Sequence, residues 1–147
     1  MPQSLSLVLI RVIFSTKDRV PFLKPTLRPK LHAYLATVTR TLDCECFLVG
    51  GVDDHVHLAI GISRTITISK LVEQLKTISS KFLKTDSPNF AWQRGYGVFS
   101  VNPSDLPALK QYIASQEQHH QKQTFQDELR ALLNEYNIPI NEQYLWD

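Results

Sequence analysis

His55 and His57 are separated by one residue in the run Asp53-Asp54-His55-Val56-His57-Leu58-Ala59-Ile60. In a β-strand alternate side chains share a face, so both imidazoles point one way while Val56, Leu58, Ile60 and Ile62 point the other. One face can seal a core while the other presents two neutral imidazoles, which are good ligands for divalent metals. Such a pair needs further ligands and a reacting group. The stretch Tyr112-Ile113-Ala114-Ser115-Gln116 offers both, because Tyr112 and Gln116 are four apart and stack on one side of a helix. Metal ligands, an amide and a phenol nucleophile together point to phosphodiester chemistry on DNA.

The elements that must hold these groups can be read along the chain. Residues 5–15 form a nearly continuous apolar run, expected to be a central strand with Arg11 as its one charge. Arg11 either reaches solvent or a carboxylate, or contacts phosphate on an open sheet face. A connector with Pro21, Pro25 and Pro29 follows. A helix then starts near Pro29, with Leu31, Tyr34, Leu35, Val38 and Leu42 at helical spacing. Residues 44–49 read as a second strand, and Gly50 to Asp54 as a turn in which glycine supplies positive φ. The histidine strand spans about residues 55–62 and forms a hairpin with it. Ser69 is the expected cap of the next helix, which buries Leu71, Val72, Leu75, Ile78, Ser79 and Phe82. A loop containing Trp92 leads to a fourth strand over residues 96–101.

Pro103-Ser104 opens the tyrosine helix, capped by Ser104 or Asp105 and running to His119-His120. Leu106, Leu109 and Ile113 form its apolar stripe, with Tyr112 and Gln116 on one shoulder. Thr124, with Asp127 three residues on, caps a last helix reaching about residue 137, whose apolar face is Phe125, Leu129, Leu132, Leu133 and Tyr136. Strand, helix, strand, strand, helix, strand is the ferredoxin-like split βαβ order. The expected fold is α+β: a four-stranded antiparallel sheet with two helices on one face and the tyrosine helix over the other. One domain spans residues 1–147, with a core at about 5–119 and a C-terminal helix at about 124–137.

Composition narrows the function only modestly. The chain has 147 residues, a formal net charge of +2 and a pI near 8.6, which permits nucleic-acid binding without arguing for it. Two cysteines, Cys44 and Cys46, cannot make a disulfide framework and lack the usual zinc spacing, so reduced structural thiols are expected. The apolar run at the N-terminus is too short to span a bilayer and lacks the features of a signal peptide, so a cytoplasmic protein is the expectation. Lys70, Lys81 and Lys84 line one side of the second helix, either as a solvated face or as a phosphate-tracking stripe. Trp92 and Tyr96 beside Arg94 could stack bases, although packing is the more ordinary use of such aromatics. Asp54 either closes its turn or orients His55. The pair His119-His120 reads as an exposed helix end, with His119 two turns beyond Tyr112 and able to touch DNA or support the site.

With these motifs in view, the chain resembles the single-tyrosine HUH transposases of the smallest bacterial insertion sequences and their REP-associated relatives. The resemblance rests on His-x-His in a strand, then Trp92-Gln93-Arg94-Gly95-Tyr96-Gly97, then Tyr-Ile-x-x-Gln-x-x-His-His, in that order. It runs from about Val8 to Leu133. It implies a metal-dependent strand transferase acting on single-stranded DNA hairpins. His55, His57 and Gln116 match the ligands of Mg²⁺ or Mn²⁺, and Tyr112 matches the nucleophile that keeps the 5′-phosphate. It further implies a homodimer, in which the tyrosine helix of one chain can complete the partner's site, and no nucleotide cofactor. Arg11, Lys17 and Arg94 join the lysine stripe as candidate DNA contacts. Relatives often carry His where this chain has Arg11, and Pro where it has Asp53. Three other readings use the same residues: a single-strand nucleic-acid-binding module without catalysis, a replication or relaxase-type nuclease, and a domesticated nuclease that processes chromosomal repeats.

Overall fold

A computed structural model describes residues 3–147. Its sheet is built from β1 (Leu9–Ser15), β2 (Glu45–Gly51), β3 (His55–Gly61) and β4 (Gly97–Val101), all antiparallel, in the order β2-β3-β1-β4. Helix α1 (Arg28–Thr41) connects β1 to β2, and α2 (Ile68–Leu83) connects β3 to β4. The ferredoxin-like order expected from the sequence is therefore the one found.

Strand periodicity divides the sheet into two faces. Val12, Phe14, Val56, Leu58 and Ile60 turn toward α1 and α2 and meet Leu31, Leu35, Leu71 and Leu75 in the main core. Removing such a side chain from water is worth about 1.5–3 kcal/mol, so this layer supplies most of the hydrophobic stabilisation. Trp92 belongs to it. Its ring stands edge-on to Phe14 at 4.8 Å, and its indole N–H donates to Ser79 Oγ at 3.0 Å. Trp92 is thus a packing residue with a satisfied polar end, not a base-stacking platform. The Lys76 amine donates to the carbonyls of Gln93, Arg94 and Gly95 at 2.7, 3.1 and 2.7 Å, tying this loop to α2.

The opposite face carries His55, His57, Ala59, Ile13, Arg11 and Phe99. Two elements cover it. Helix α3 (Leu106–Ala114) lies over β2 and β3, packing Leu109 and Ile113 on Ala59. Helix α5 (Phe125–Glu135) lies over β1 and β4, packing Phe125, Leu129, Leu132 and Leu133 on Ile13 and Phe99. A short α4 (Gln116–His120) joins them, and α6 (Glu142–Leu145) closes the chain. Among the described residues no helix is long and apolar enough to cross a membrane.

Several boundaries differ from the sequence expectation for identifiable reasons. β1 starts at Leu9, where its ladder partners Gly61 and Val101 end their own strands, and Leu5, Leu7 and Val8 are exposed. Gly50 and Gly51 continue β2 instead of turning the chain, and Val52 to Asp54 make the turn. Gly50 is needed for proximity: a Cβ there would stand 2.6 Å from both the Cγ2 and the carbonyl oxygen of Ile113 in α3. The cap of α2 is Thr67, which accepts from Lys70 N at 3.1 Å, and not Ser69. β4 begins at Gly97, leaving Tyr96 outside it and exposed. Asn102 accepts from Ser104 N and starts a 3-10 turn, Pro103–Asp105, ahead of α3. The tyrosine helix does not run unbroken to His120. It stops at Ser115, where φ is −104° and ψ is 22°, and resumes as α4. The expected capping box of the last helix is present in part, since Thr124 Oγ1 accepts from Asp127 N at 3.2 Å. Cys44 and Cys46 are both free thiols, Cys44 lying just before β2.

Candidate active site

β3 presents His55 and His57 side by side, their ring centroids 5.2 Å apart and both rings buried. The two faces of this strand are therefore both covered, one by core and one by α3 and α5. His55 is held at each end. Its Nδ1 lies 2.7 Å from Asp54 Oδ1, and its Nε2 lies 3.3 Å from Gln116 Oε1. A carboxylate on the outer nitrogen fixes the ring's orientation and leaves the inner nitrogen free to face the site. The Asp54 carbonyl accepts from Thr16 N at 2.8 Å, which ties it to the end of β1, while the turn itself is spanned by Val52 N donating to the His55 carbonyl at 3.2 Å. Of its two expected roles, the side chain takes the one of orienting His55.

Helix α3 brings Tyr112 onto the same face, with its ring edge-on to His57 at 5.8 Å. The break at Ser115 does not separate Tyr112 from Gln116. Gln116 Nε2 donates to the Tyr112 carbonyl at 3.2 Å while its oxygen faces His55. Arg11, opposite Ala59 in the β1–β3 ladder, lays its guanidinium 5.1 Å from the Tyr112 ring centroid. Its Nε is buried and has no hydrogen-bond partner among the described residues. Among those residues the half-buried side chain makes no ion pair with a carboxylate, and the rest of it lines the clefts beside Tyr112.

At the centre of these groups sits a residue that the sequence reading missed. Glu128, on α5, is buried. Its Oε1 lies 2.9 Å from His57 Nε2 and 3.5 Å from His55 Nε2. Its Oε2 accepts from the Tyr112 hydroxyl and lies 3.3 Å from His120 Nε2. The signal was a carboxylate inside an apolar stripe. Glu128 falls between Phe125 and Leu129 on the one face of α5 that is buried, and a buried carboxylate must find partners.

The histidine pair at the end of α4 also behaves differently from an exposed helix end. His119 is exposed, but its ring lies against Tyr112 at 4.5 Å. His120 turns inward and packs on His55 at 4.3 Å. His55, His57, His120 and Glu128 place their ligand atoms within 4.8 Å of one another. Donors about 2.1 Å from one ion stand roughly 3.0–3.4 Å apart. Three separations lie near that range: His57–Glu128 at 2.9 Å, His55–Gln116 at 3.3 Å and His55–Glu128 at 3.5 Å. Imidazole nitrogens and side-chain oxygens are the donor types suited to Mn²⁺ and, through oxygen, Mg²⁺. The residues present thus fit a divalent ion.

The electrostatics follow from burial against this carboxylate. For Glu128, burial alone would raise the pKa, but hydrogen bonds from His120, His55 and His57 hold it far below the usual carboxylate range. For His55, burial opposes the charge, yet Asp54 and Glu128 overcome it and raise its pKa to about 9. His57 is lowered to about 4, because burial dominates and the charged His55 and Arg11 add to it. The Tyr112 phenol is pushed up to about 12 by burial and by the Glu128 carboxylate beside it.

The candidate DNA contacts divide. Arg11 and Tyr112 line two clefts of about 290 and 180 Å³ between α3 and α5. Lys17 and Arg94 share a cleft of about 400 Å³ with Trp146 at another edge of the sheet. Lys70 and Lys81 on α2, and Lys84 at its C-cap, are exposed in the layer on the opposite side of the sheet from the histidines, and Lys70 lies 3.8 Å from Glu73. The structure does not bring that stripe to the site.

Comparison with known proteins agrees with this architecture. A family described as "Transposase IS200 like" matches residues 4–116. Among solved structures, a candidate transposase from Deinococcus radiodurans R1 superposes with a TM-score of 0.64 at 22% identity, covering 79% of this chain and 95% of that one. A REP-associated tyrosine transposase bound to a REP hairpin superposes with a TM-score of 0.56 at 15% identity, covering 78% of this chain and 72% of that one. No curated protein matches. The family match spans the histidine strand, Tyr112 and Gln116, and the chain belongs to the IS200-like transposase family.

Proposed function

We propose that the protein is a metal-dependent single-tyrosine transposase that cleaves and rejoins single-stranded DNA at hairpin-marked ends through a 5′-phosphotyrosine. One observation carries the reading: the Tyr112 hydroxyl and the inner nitrogens of His55 and His57 all converge on the two oxygens of one carboxylate. A scissile phosphate entering beside this carboxylate would meet the nucleophile and the histidines together.

In this reading His55, His57 and Gln116 hold the divalent ion, and Asp54 keeps His55 aligned. When bound, Mg²⁺ or Mn²⁺ would neutralise charge on the phosphoryl oxygens and the leaving 3′-oxygen. Tyr112 Oη attacks phosphorus. The Tyr–O–P bond forms, the P–O3′ bond breaks, and the 3′-hydroxyl is released. Rejoining is the reverse attack by a 3′-hydroxyl, so the phosphotyrosine conserves the bond and no nucleotide cofactor is required. Burial and the Glu128 carboxylate raise the Tyr112 pKa, so the resting phenol is protonated at pH 7. The phenol proton must therefore leave as the bond to phosphorus forms, and the departing 3′-oxygen takes up a proton, so that no net proton is lost in the step. Arg11, a planar cation over the Tyr112 ring and lining both clefts, is the nearest group able to grip a phosphate there. Lys17 and Arg94 would contact DNA farther along, and His119 would support the Tyr112 ring. All these groups come from one chain, so the reading assembles the site in cis, whether or not the protein forms a homodimer.

The likeness to a hairpin-bound REP-associated transposase supports a DNA hairpin as the substrate, and processing of chromosomal repeats would use the same chemistry. The test is a covalent-adduct assay. Labelled single-stranded hairpins from the DNA flanking the gene are incubated with Mn²⁺ or EDTA and run on a denaturing gel. A metal-dependent shifted band that Tyr112→Phe abolishes, while hairpin binding persists, is the expected result. Metal-independent binding with no adduct would instead make the protein a binding module.

A further inference from the structure

We infer that Glu128 is an additional ligand of the metal site and, through its second oxygen, the anchor of the Tyr112 hydroxyl. The inference rests on the proposed function, because it concerns the same ion. It goes beyond the histidine pair and Gln116 by adding a charged ligand from a different element.

The geometry points to Glu128 in three ways. Its Oε1 stands 2.9 Å from His57 Nε2 and 3.5 Å from His55 Nε2, the separation expected of donors that share an ion. Its other oxygen is turned away from the histidine pair, toward Tyr112 Oη and His120 Nε2, so one carboxylate faces both the ion's position and the nucleophile. Its backbone is fixed, because α5 buries Phe125, Leu129, Leu132 and Leu133 against Ile13 and Phe99. His120, 3.3 Å from Oε2, is then a positioning residue for the carboxylate.

The chemical consequence is a change of site charge. Once the His55 proton is displaced on binding, two imidazoles and an amide are neutral ligands and hold a hard cation weakly. A carboxylate oxygen adds a negative charge and a donor type that Mg²⁺ and Mn²⁺ prefer. Because the same side chain receives the Tyr112 hydroxyl, filling the metal site and orienting the nucleophile become one event. The C-terminal helix, which begins at Phe125 beyond the 4–116 segment shared with the family, thereby contributes to the site.

The test titrates MnCl₂ into the metal-free full-length protein, following free Mn²⁺ by its electron paramagnetic resonance signal, with no DNA present. Wild type is compared with Glu128→Gln, Glu128→Ala, Tyr112→Phe and His57→Ala, each checked for folding by its melting curve. Glu128→Gln and Glu128→Ala should weaken Mn²⁺ binding by at least about tenfold, the loss that follows removal of even an outer partner of a metal site. Tyr112→Phe should leave it unchanged. Equal or tighter Mn²⁺ binding by Glu128→Ala overturns the inference, and makes Glu128 an internal anion that must leave before phosphate enters. His57→Ala distinguishes the two levels. If it loses Mn²⁺ while the Glu128 variants keep it, only the role of Glu128 fails. If it binds Mn²⁺ like wild type, the histidine metal site fails as well.

Discussion

Gly50 is the residue through which the sheet sets the position of the nucleophile. It pairs with His57 in the β2–β3 ladder and lies directly under Ile113, the neighbour of Tyr112. In Gly50→Ala the new Cβ would stand 2.6 Å from the Ile113 carbonyl oxygen, whereas ordinary contact begins near 3.4 Å. A backbone atom cannot swing aside, so α3 must lift from the sheet by about 0.8 Å. Overpacking of this kind costs about 1–3 kcal/mol, which for a chain of this size lowers the melting temperature by about 2–12 °C. The catalytic effect should be larger than the stability effect, because misplacing a reacting group by about 1 Å can cost 100-fold in rate. The assay is single-turnover adduct formation on a labelled hairpin with Mn²⁺, alongside equilibrium binding of the same hairpin. Adduct formation should slow about 100-fold while binding is nearly unchanged. Gly61→Ala is the control, since its Cβ would meet only the Phe47 ring at 3.3 Å and the Glu45 Cβ at 3.5 Å, at the far end of the same face. Wild-type adduct rate and melting temperature in Gly50→Ala would refute the argument that this contact positions Tyr112. Parallel loss of binding and rate would refute it too, by showing general damage.

Other outcomes follow from the same geometry. Mixing Tyr112→Phe with His57→Ala should not restore adduct formation, because Tyr112 meets the histidines of its own chain; recovery of a band in the mixture would mean that α3 exchanges between chains. Arg11→Met should keep the fold, since the stem still packs beside Tyr112, but should slow adduct formation, and an unchanged rate would remove Arg11 from the phosphate site. His32 is lowered to about 4, first by burial and then by the nearby Arg28. The folded state therefore binds fewer protons than the unfolded chain between pH 6.5 and 4. Stability from this group is complete above pH 6.5 and falls as pH drops toward 4, by at most about 3 kcal/mol. Denaturant melts of His32→Gln should lose that part of the acid slope, and an unaltered slope would assign it to other groups.

Much of this protein was legible in its sequence because the informative patterns are local. The two-residue spacing of His55 and His57 put both rings on one strand face, and the four-residue spacing of Tyr112 and Gln116 kept them together even across the break at Ser115. Helical and strand periodicity gave the element order, and with it the split βαβ sheet. What periodicity could not reveal was which elements share the histidine face. The tyrosine helix was expected there; α5 was read only as an appended helix with an apolar side. The ledge of Ile13 and Phe99 that receives it exists only after β1 and β4 pair. Docking α5 on that ledge decided the rest: it drives Glu128 between two histidines and a tyrosine, turns the space above β3 from an open face into a buried one, and gives His120 a carboxylate to face. It also separates Arg11, which ends beneath Tyr112, from the lysines of α2, which the pairing of strands leaves on the far side of the sheet. Spacing along the chain determined which chemical groups travel together. Burial, which depends on contacts between residues far apart in sequence, decided which of them meet and how strongly each holds its proton.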